Sequence, residues 1–139
     1  MPNKEKKFFE LMDYRVSIHK ERDWGEPAAE AEVGIKVGAD KERNTASGVG
    51  PVDALNNALR KSLEKVYPRL KKMKLTDYKV RVLPSKDGTA AKVRVTIEST
   101  DGKDSWETAG VSLNIIEASW IALVESFNYK LNKDEGRDK

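Results

Sequence analysis

Tyr14-Arg15-Val16-Ser17-Ile18 returns 64 residues further on as Tyr78-Lys79-Val80-Arg81-Val82. Both stretches alternate apolar and polar side chains with the period of two that a half-buried strand requires. The surrounding sequence repeats as well. Ala31-Glu32-Val33-Gly34-Ile35-Lys36-Val37 matches Ala91-Lys92-Val93-Arg94-Val95-Thr96-Ile97, and Gly48-Val49-Gly50 matches Gly110-Val111-Ser112. Asp53-Ala54 lies over Glu117-Ala118, Ala58-Leu59 over Ala122-Leu123, and Ser62-Leu63 over Ser126-Phe127. On these matches the offset drifts by a few residues, as changes in loop length would cause. Matches that recur in one order along the chain point to a duplicated unit of roughly 65 residues.

One copy reads as three strands and a helix. Residues 14–19 alternate, with Tyr14, Val16 and Ile18 on one face. Residues 29–37 alternate with Ala31, Val33, Ile35 and Val37 inward, after a turn-rich Asp23-Trp24-Gly25-Glu26-Pro27. Gly38-Ala39-Asp40 supplies a hairpin turn before a shorter strand at 44–49. Gly50-Pro51 then opens a helix, with Asp53 near its positive end. Val52, Leu55, Leu59, Leu63 and Val66 recur at helical spacing, and Pro68 ends the run. The second copy predicts strands at 78–83, 90–99 and 105–111 with a hairpin turn at Asp101-Gly102. Its helix is capped by Asn114, with Glu117 three residues on, and carries the stripe Ile116, Trp120, Leu123, Phe127 and Leu131. The predicted fold class is α+β. Two pseudo-twofold related β-β-β-α units, at 8–68 and 75–131, each put one helix on an antiparallel sheet, and a charged, frayed tail follows at 132–139.

Composition removes several classes of function. The 139 residues are 38% hydrophobic and 35% charged, enough apolar material for a core. No run of 18 apolar residues predicts a membrane span. Residues 1–7 lack the apolar stretch of a secretory leader, so a cytoplasmic location is expected. There is no cysteine, hence no disulfide, thiol nucleophile or cysteine-held metal. The single histidine, His19, falls on the polar face of the first strand and reads as a solvated residue. No nucleophile elbow, phosphate loop or dinucleotide fingerprint is present. The segment therefore reads as unlike a self-contained enzyme, with no catalytic and no metal-binding residues assigned.

Three local features invite functional readings. Gly48-Val49-Gly50-Pro51-Val52-Asp53 joins a strand to a helix start, where free amides favour an anion and Asp53 would counter an ammonium. That combination suits a zwitterionic amino acid with an apolar side chain; on spacing alone an ordinary strand–helix turn, its helix capped by Asp53, is the commoner explanation. Ala54, Ala58 and Ser62, and again Ala118, Ala122 and Ser126, form small-residue stripes that suit close packing inside the unit or a dimer surface. Arg69-Leu70-Lys71-Lys72-Met73-Lys74 reads as a solvated linker. It lacks the interleaved aromatics of a nucleic-acid surface, and the net charge of +3 demands no polyanion, so a stand-alone RNA-binding module is the weaker reading.

Four segments together resemble a known family: Gly48 to Ala54, Leu75-Thr76-Asp77-Tyr78-Lys79-Val80-Arg81-Val82, Trp106-Glu107-Thr108-Ala109-Gly110-Val111-Ser112, and Asn114-Ile115-Ile116-Glu117-Ala118-Ser119-Trp120. The resemblance is to the C-terminal regulatory domain of the 2-isopropylmalate synthase and citramalate synthase family. The Asn114 to Trp120 segment and Tyr129-Lys130-Leu131 look most like the citramalate synthase branch. The resemblance implies a single regulatory domain over 1–139. The parent enzyme would be an acyltransferase that condenses acetyl-CoA with a 2-oxo acid on a barrel using a divalent metal, with no cofactor in this segment. It implies a homodimer that binds a branched-chain amino acid, isoleucine or, in the other branch, leucine, and so inhibits a distant active site. No membrane or nucleic-acid partner is implied. Carried over by motif, the effector positions are Gly48, Gly50, Val52, Asp53, Leu75, Tyr78, Val82, Thr89, Val93, Leu113, Asn114 and Ile115.

Overall fold

The computed structural model describes residues 6–84 and 91–137. Strands β1 (Glu10–His19), β2 (Ala28–Val37) and β3 (Asp40–Gly48) precede helix α1 (Pro51–Val66). A short 3-10 turn, Pro68–Lys72, leads to β4 (Lys74–Val82), β5 (Val93–Thr100), β6 (Ser105–Ser112) and α2 (Ile115–Arg137). Each trio forms its own antiparallel sheet, in the order β1-β2-β3 and β4-β5-β6. This is the α+β fold of two β-β-β-α units. The chain divides into two compact units, Lys7–Pro68 and a second that joins Lys6 to the residues from Arg69 onward.

In the first unit the inward residues of β2, Ala29, Ala31, Val33 and Ile35, are buried with Ala46 of β3. Helix α1 lies over β2 and β3. The small residues are what let it come close. A Cβ on Gly48 would stand 2.7 Å from the Asp53 carboxylate and 2.8 Å from the Asp53 carbonyl carbon. Ala54, Ala58 and Ser62 are all buried, and Ser62 Oγ accepts a 2.7 Å hydrogen bond from Asn44 Nδ2. The stripe thus packs against its own sheet.

The outer face of the same sheet carries a charge bridge. Gly34 of β2 stands between Asp13 of β1 and Arg43 of β3. With no side chain in the way, the Arg43 guanidinium crosses β2 and donates to both Asp13 oxygens, at 2.7 and 2.9 Å, and to Glu32 at 2.8 Å. A Cβ on Gly34 would fall 2.7 Å from that guanidinium. The hydrogen bonds from Arg43 hold the Asp13 carboxyl below its ordinary range, against a small opposing effect of burial. Gly34→Val is expected to push Arg43 aside and return Asp13 to an ordinary carboxylate pKa. An NMR titration of the Asp13 side chain checks this; an unmoved midpoint would refute the bridge.

In the second unit Val95, Ile97 and Ser99 of β5 are buried beneath Ala118, Ala122, Leu123, Ser126, Phe127 and Leu131 of α2. Ser126 Oγ is the polar centre of this core. It pairs with Ser99 Oγ at 2.8 Å and accepts from Trp106 Nε1 at 3.0 Å, while Thr108 Oγ1 donates to the Ala122 carbonyl at 2.8 Å. Gly110 lets β6 touch the helix backbone: a Cβ there would collide with the Ala118 carbonyl oxygen.

The ladders correct the internal alignment. Tyr14 faces Val33, which faces Asn44; Tyr78 faces Ile97, which faces Thr108. Every ladder pair of the second sheet has its counterpart 64 positions earlier in the first, so the offset does not drift. Matching Val33 to Val93, or Gly48 to Gly110, slides a strand by four or two residues. An even slip preserves apolar–polar alternation, which is why the sequence tolerates it. The true counterpart of Gly48 is Ser112. Both first strands also hold the same irregularity, between Leu11 and Asp13 and between Leu75 and Asp77.

Other expectations move too. The linker at 69–74 is not simply solvated, because Leu70 and Met73 are buried. The residues read as a frayed tail continue α2 as far as Arg137. Of the strand read at 90–99, Ala90 lies outside the described residues, and β5 begins at Val93.

Candidate functional site

The expected site residues fall into two groups, one in each unit. In the first, β3 ends at Gly48 and α1 begins at Pro51. Gly50 is the N-cap in extended geometry and has no side chain to cap with. Asp53 closes the turn instead: its Oδ2 accepts the Val49 N–H at 2.9 Å. Asp53 thus closes the strand–helix turn that leads into its own helix. Val52 beside it is half-buried.

The second unit solves the same helix start differently. Asn114 Oδ1 accepts from the Ile116 and Glu117 amides at 2.8 and 3.1 Å, and Ser112 Oγ accepts the Asn114 N–H at 3.1 Å. This is an ordinary asparagine cap. Around it the structure gathers apolar side chains. Val82, Val93 and Ser112 form one row across the sheet, and Leu113, Asn114 and Ile115 follow directly. Val82 is 65% exposed, Leu113 64% and Ile115 43%. Branched aliphatic side chains facing water beside a helix start form a surface that gains by being covered, at about 25 cal/mol for each Å² of apolar area buried.

Not every expected residue converges there. Tyr78 lies four residues before Val82, about 13 Å along the strand. It reaches into α2, where its hydroxyl and Ser119 Oγ are 3.0 Å apart. Ser119 already donates to the Ile115 carbonyl at 2.8 Å, so the tyrosine is the donor to Ser119. Tyr78 is therefore tied to the first turn of α2. Leu75 pairs with Ser99 at the opposite end of the sheet, roughly 20 Å from Val82. Thr89 lies outside the described residues.

Ser119 escaped the sequence reading. The signal for it was a break in the repeat: its counterpart 64 residues earlier is Leu55, while Tyr78 and Tyr14 agree. A cavity of about 220 Å³ at the β1–β2 connection, beneath Trp24 and Arg22 and next to His19, includes none of the expected residues. Among the described residues no three His, Asp or Glu side chains converge as a metal ion would need. Among them also, no helix is long and apolar enough to cross a membrane.

Comparison with known proteins adds the following. Residues 2–131 match the family described as the LeuA allosteric (dimerisation) domain. The chain is 53% identical over 130 residues to the (R)-citramalate synthase of Geobacter sulfurreducens and 55% identical over 130 residues to that of Aquifex aeolicus; each match covers 94% of this chain and 25% of the relative. It is 30% identical over 105 residues to the 2-isopropylmalate synthase of Methanocaldococcus jannaschii, covering 76% of this chain and 19% of that protein. The chain thus spans about a quarter of the length of the citramalate synthases it matches.

Proposed function

The chain belongs to the LeuA allosteric (dimerisation) domain family, and from that membership we propose that it is the regulatory domain of a citramalate synthase, that it forms a homodimer, and that it binds isoleucine to inhibit the enzyme. The observation that carries the reading is identity above one half with two citramalate synthases over 94% of this chain. We assign the condensation of acetyl-CoA with a 2-oxo acid, and the divalent metal it uses, to the part of the enzyme that this chain, about a quarter of its relatives' length, does not cover.

The geometry supports an effector with a branched aliphatic side chain. Val82, Val93, Leu113 and Ile115 present apolar surface beside the start of α2. Covered by a second copy of the chain, that surface becomes a pocket whose affinity depends on the dimer, and a coupling of about 1–3 kcal/mol between effector and active site is the ordinary size of such an effect. Isoleucine and leucine differ by the position of one methyl, so shape alone discriminates by about 10–200-fold. The relative among the 2-isopropylmalate synthases favours leucine as the second reading.

Calorimetric titration of the chain with isoleucine, leucine and valine tests this. Isoleucine is expected to bind most tightly, and Val82→Asp to weaken it at least tenfold with the fold intact, because Val82 faces solvent. Tighter leucine binding would move the chain to the other branch. No heat with any of the three at millimolar concentration would remove the effector reading.

A further inference from the structure

We propose that α2 is the lever of the regulatory response, that its last turns clasp the peptide unit at Lys6, and that Asn132 is the positioning residue which carries effector occupancy to that point. The inference rests on the effector reading above. Asn132 treats Lys6 as a strand partner would: the Lys6 N–H donates to Asn132 Oδ1 at 3.0 Å, and Asn132 Nδ2 donates back to the Lys6 carbonyl at 3.0 Å. The same Nδ2 also donates to the Asn128 carbonyl at 2.8 Å, which fixes the side chain on its own helix. Lys6 Nζ lies 3.7 Å from Glu135, an exposed pair that contributes little. The clasp therefore acts on the backbone of residue 6, whatever its side chain.

The other end of the same helix is the candidate site. Its first turn holds Ile115 and the Tyr78–Ser119 bond, and 17 residues of unbroken helix, about 25 Å, separate Ile115 from Asn132. Between them the helix is fixed to its sheet. Lys130 reaches Asp101 at 3.0 Å and Lys133 reaches Asp104 at 2.8 Å, so helix and β5–β6 turn move together. The first copy also ties its helix to its sheet, through Lys65 and Glu42, but has no helical position from which to make the clasp. The position 64 residues before Asn132 is Pro68, and α1 has stopped at Val66. The helix is extended only in the copy that carries the Tyr78–Ser119 bond, and the extension ends in the clasp. Beyond Lys6 the chain runs through buried Phe8 and Phe9, where Tyr67 hydroxyl donates to the Phe8 carbonyl at 3.2 Å, and then into β1.

The test is hydrogen exchange at the Lys6 amide, followed by NMR on the whole chain with and without saturating isoleucine, alongside calorimetry. In the unaltered protein isoleucine is expected to change that rate fivefold or more. Asn132→Ala is expected to lose the response while still binding isoleucine, its affinity shifted by no more than the same factor, because the coupling is reciprocal. Asn132→Asp keeps the bond from Lys6 N–H and is expected to retain part of it, so the outcome does not hang on one variant. Lys6→Ala keeps the clasped peptide unit and is expected to respond in full. Binding with no change at Lys6, or Asn132→Ala responding as the unaltered chain does, overturns the lever while leaving the effector reading standing. Absence of binding heat overturns both.

Discussion

Gly110→Ala is expected to cost about 3 kcal/mol or more and to lower the thermal midpoint of the second unit by more than about 10 °C. The added methyl would collide with the Ala118 carbonyl oxygen, with Ile121 Cβ at 2.8 Å and the Ala122 nitrogen at 3.0 Å behind it. Two of these three are main-chain atoms of α2, which move only if the whole helix moves. The helix in turn is held by the Ser126, Trp106 and Thr108 hydrogen bonds beneath it. Gly50→Ser supplies the contrast. Nothing lies within 4 Å of that position, its backbone is extended, and a serine there gains a capping hydroxyl, so a change within about 0.5 kcal/mol is expected. Thermal unfolding of the two variants side by side checks the pair; equal midpoints would show that the close approach of β6 to α2 is not needed.

Asp101→Asn comes second in size. Asp101 sits in the β5–β6 turn with its side chain only 3% exposed, facing Lys130 and Lys133, themselves 6% and 10% exposed. Burial pushes its carboxyl up. The bonds from Lys133, the Asp104 N–H, Lys130 and the Lys103 N–H outweigh that and hold it far below the usual carboxylate range. Removing the charge leaves two buried ammonium groups under-compensated. Asp134 and Asp104 still serve them, at 2.9 and 2.8 Å, so the expected loss near neutral pH is about 2–3 kcal/mol rather than the full cost of a broken buried pair. The acid limb follows from the same shift. Below about pH 4 the unfolded chain protonates this carboxyl while the folded chain does not, so the unfolded state binds more protons and stability falls as pH falls. The contribution is complete above that range. The asparagine variant is expected to be weaker at pH 7 and to lose less between pH 4 and 2, as urea midpoints would read. Parallel curves for the two proteins would contradict this account of the cluster.

The strands and helices were legible where periodicity is local and uninterrupted. Tyr14 to Ile18 and Tyr78 to Val82 announce themselves, and so do the stripes from Leu55 to Leu63 and from Trp120 to Leu131. What precedes Tyr14 and Tyr78 did not, because the bulges at 11–13 and 75–77 reverse the parity of the alternation and hide the first residues of each strand. Asp40-Lys41-Glu42-Arg43 concealed the start of β3 for another reason: an edge strand clothed in charge has no apolar face to read. The end of α2 looked like a solvated tail because its lysines and Asp134 find partners 29 to 32 residues away or across the fold at Arg69, which no local pattern reveals. At the candidate site, Val82, Val93 and Leu113 to Ile115 were named by the family resemblance alone; that Val82, Val93 and the end of β6 share one row follows from the ladder register. The separation of Leu75 from it follows from strand length, and Ser119 shows only once the two copies are compared in the correct register.

The constant spacing of 64 between equivalent ladder pairs has a genealogical meaning. Across the described strands and into the helices, neither copy has gained or lost a codon since the gene segment was doubled. The kinked first strand, present in both, was inherited from the single ancestor. The Arg43 bridge and the Asp101 cluster, each found in one copy alone, mark where the two copies have since diverged, by replaced letters rather than inserted ones.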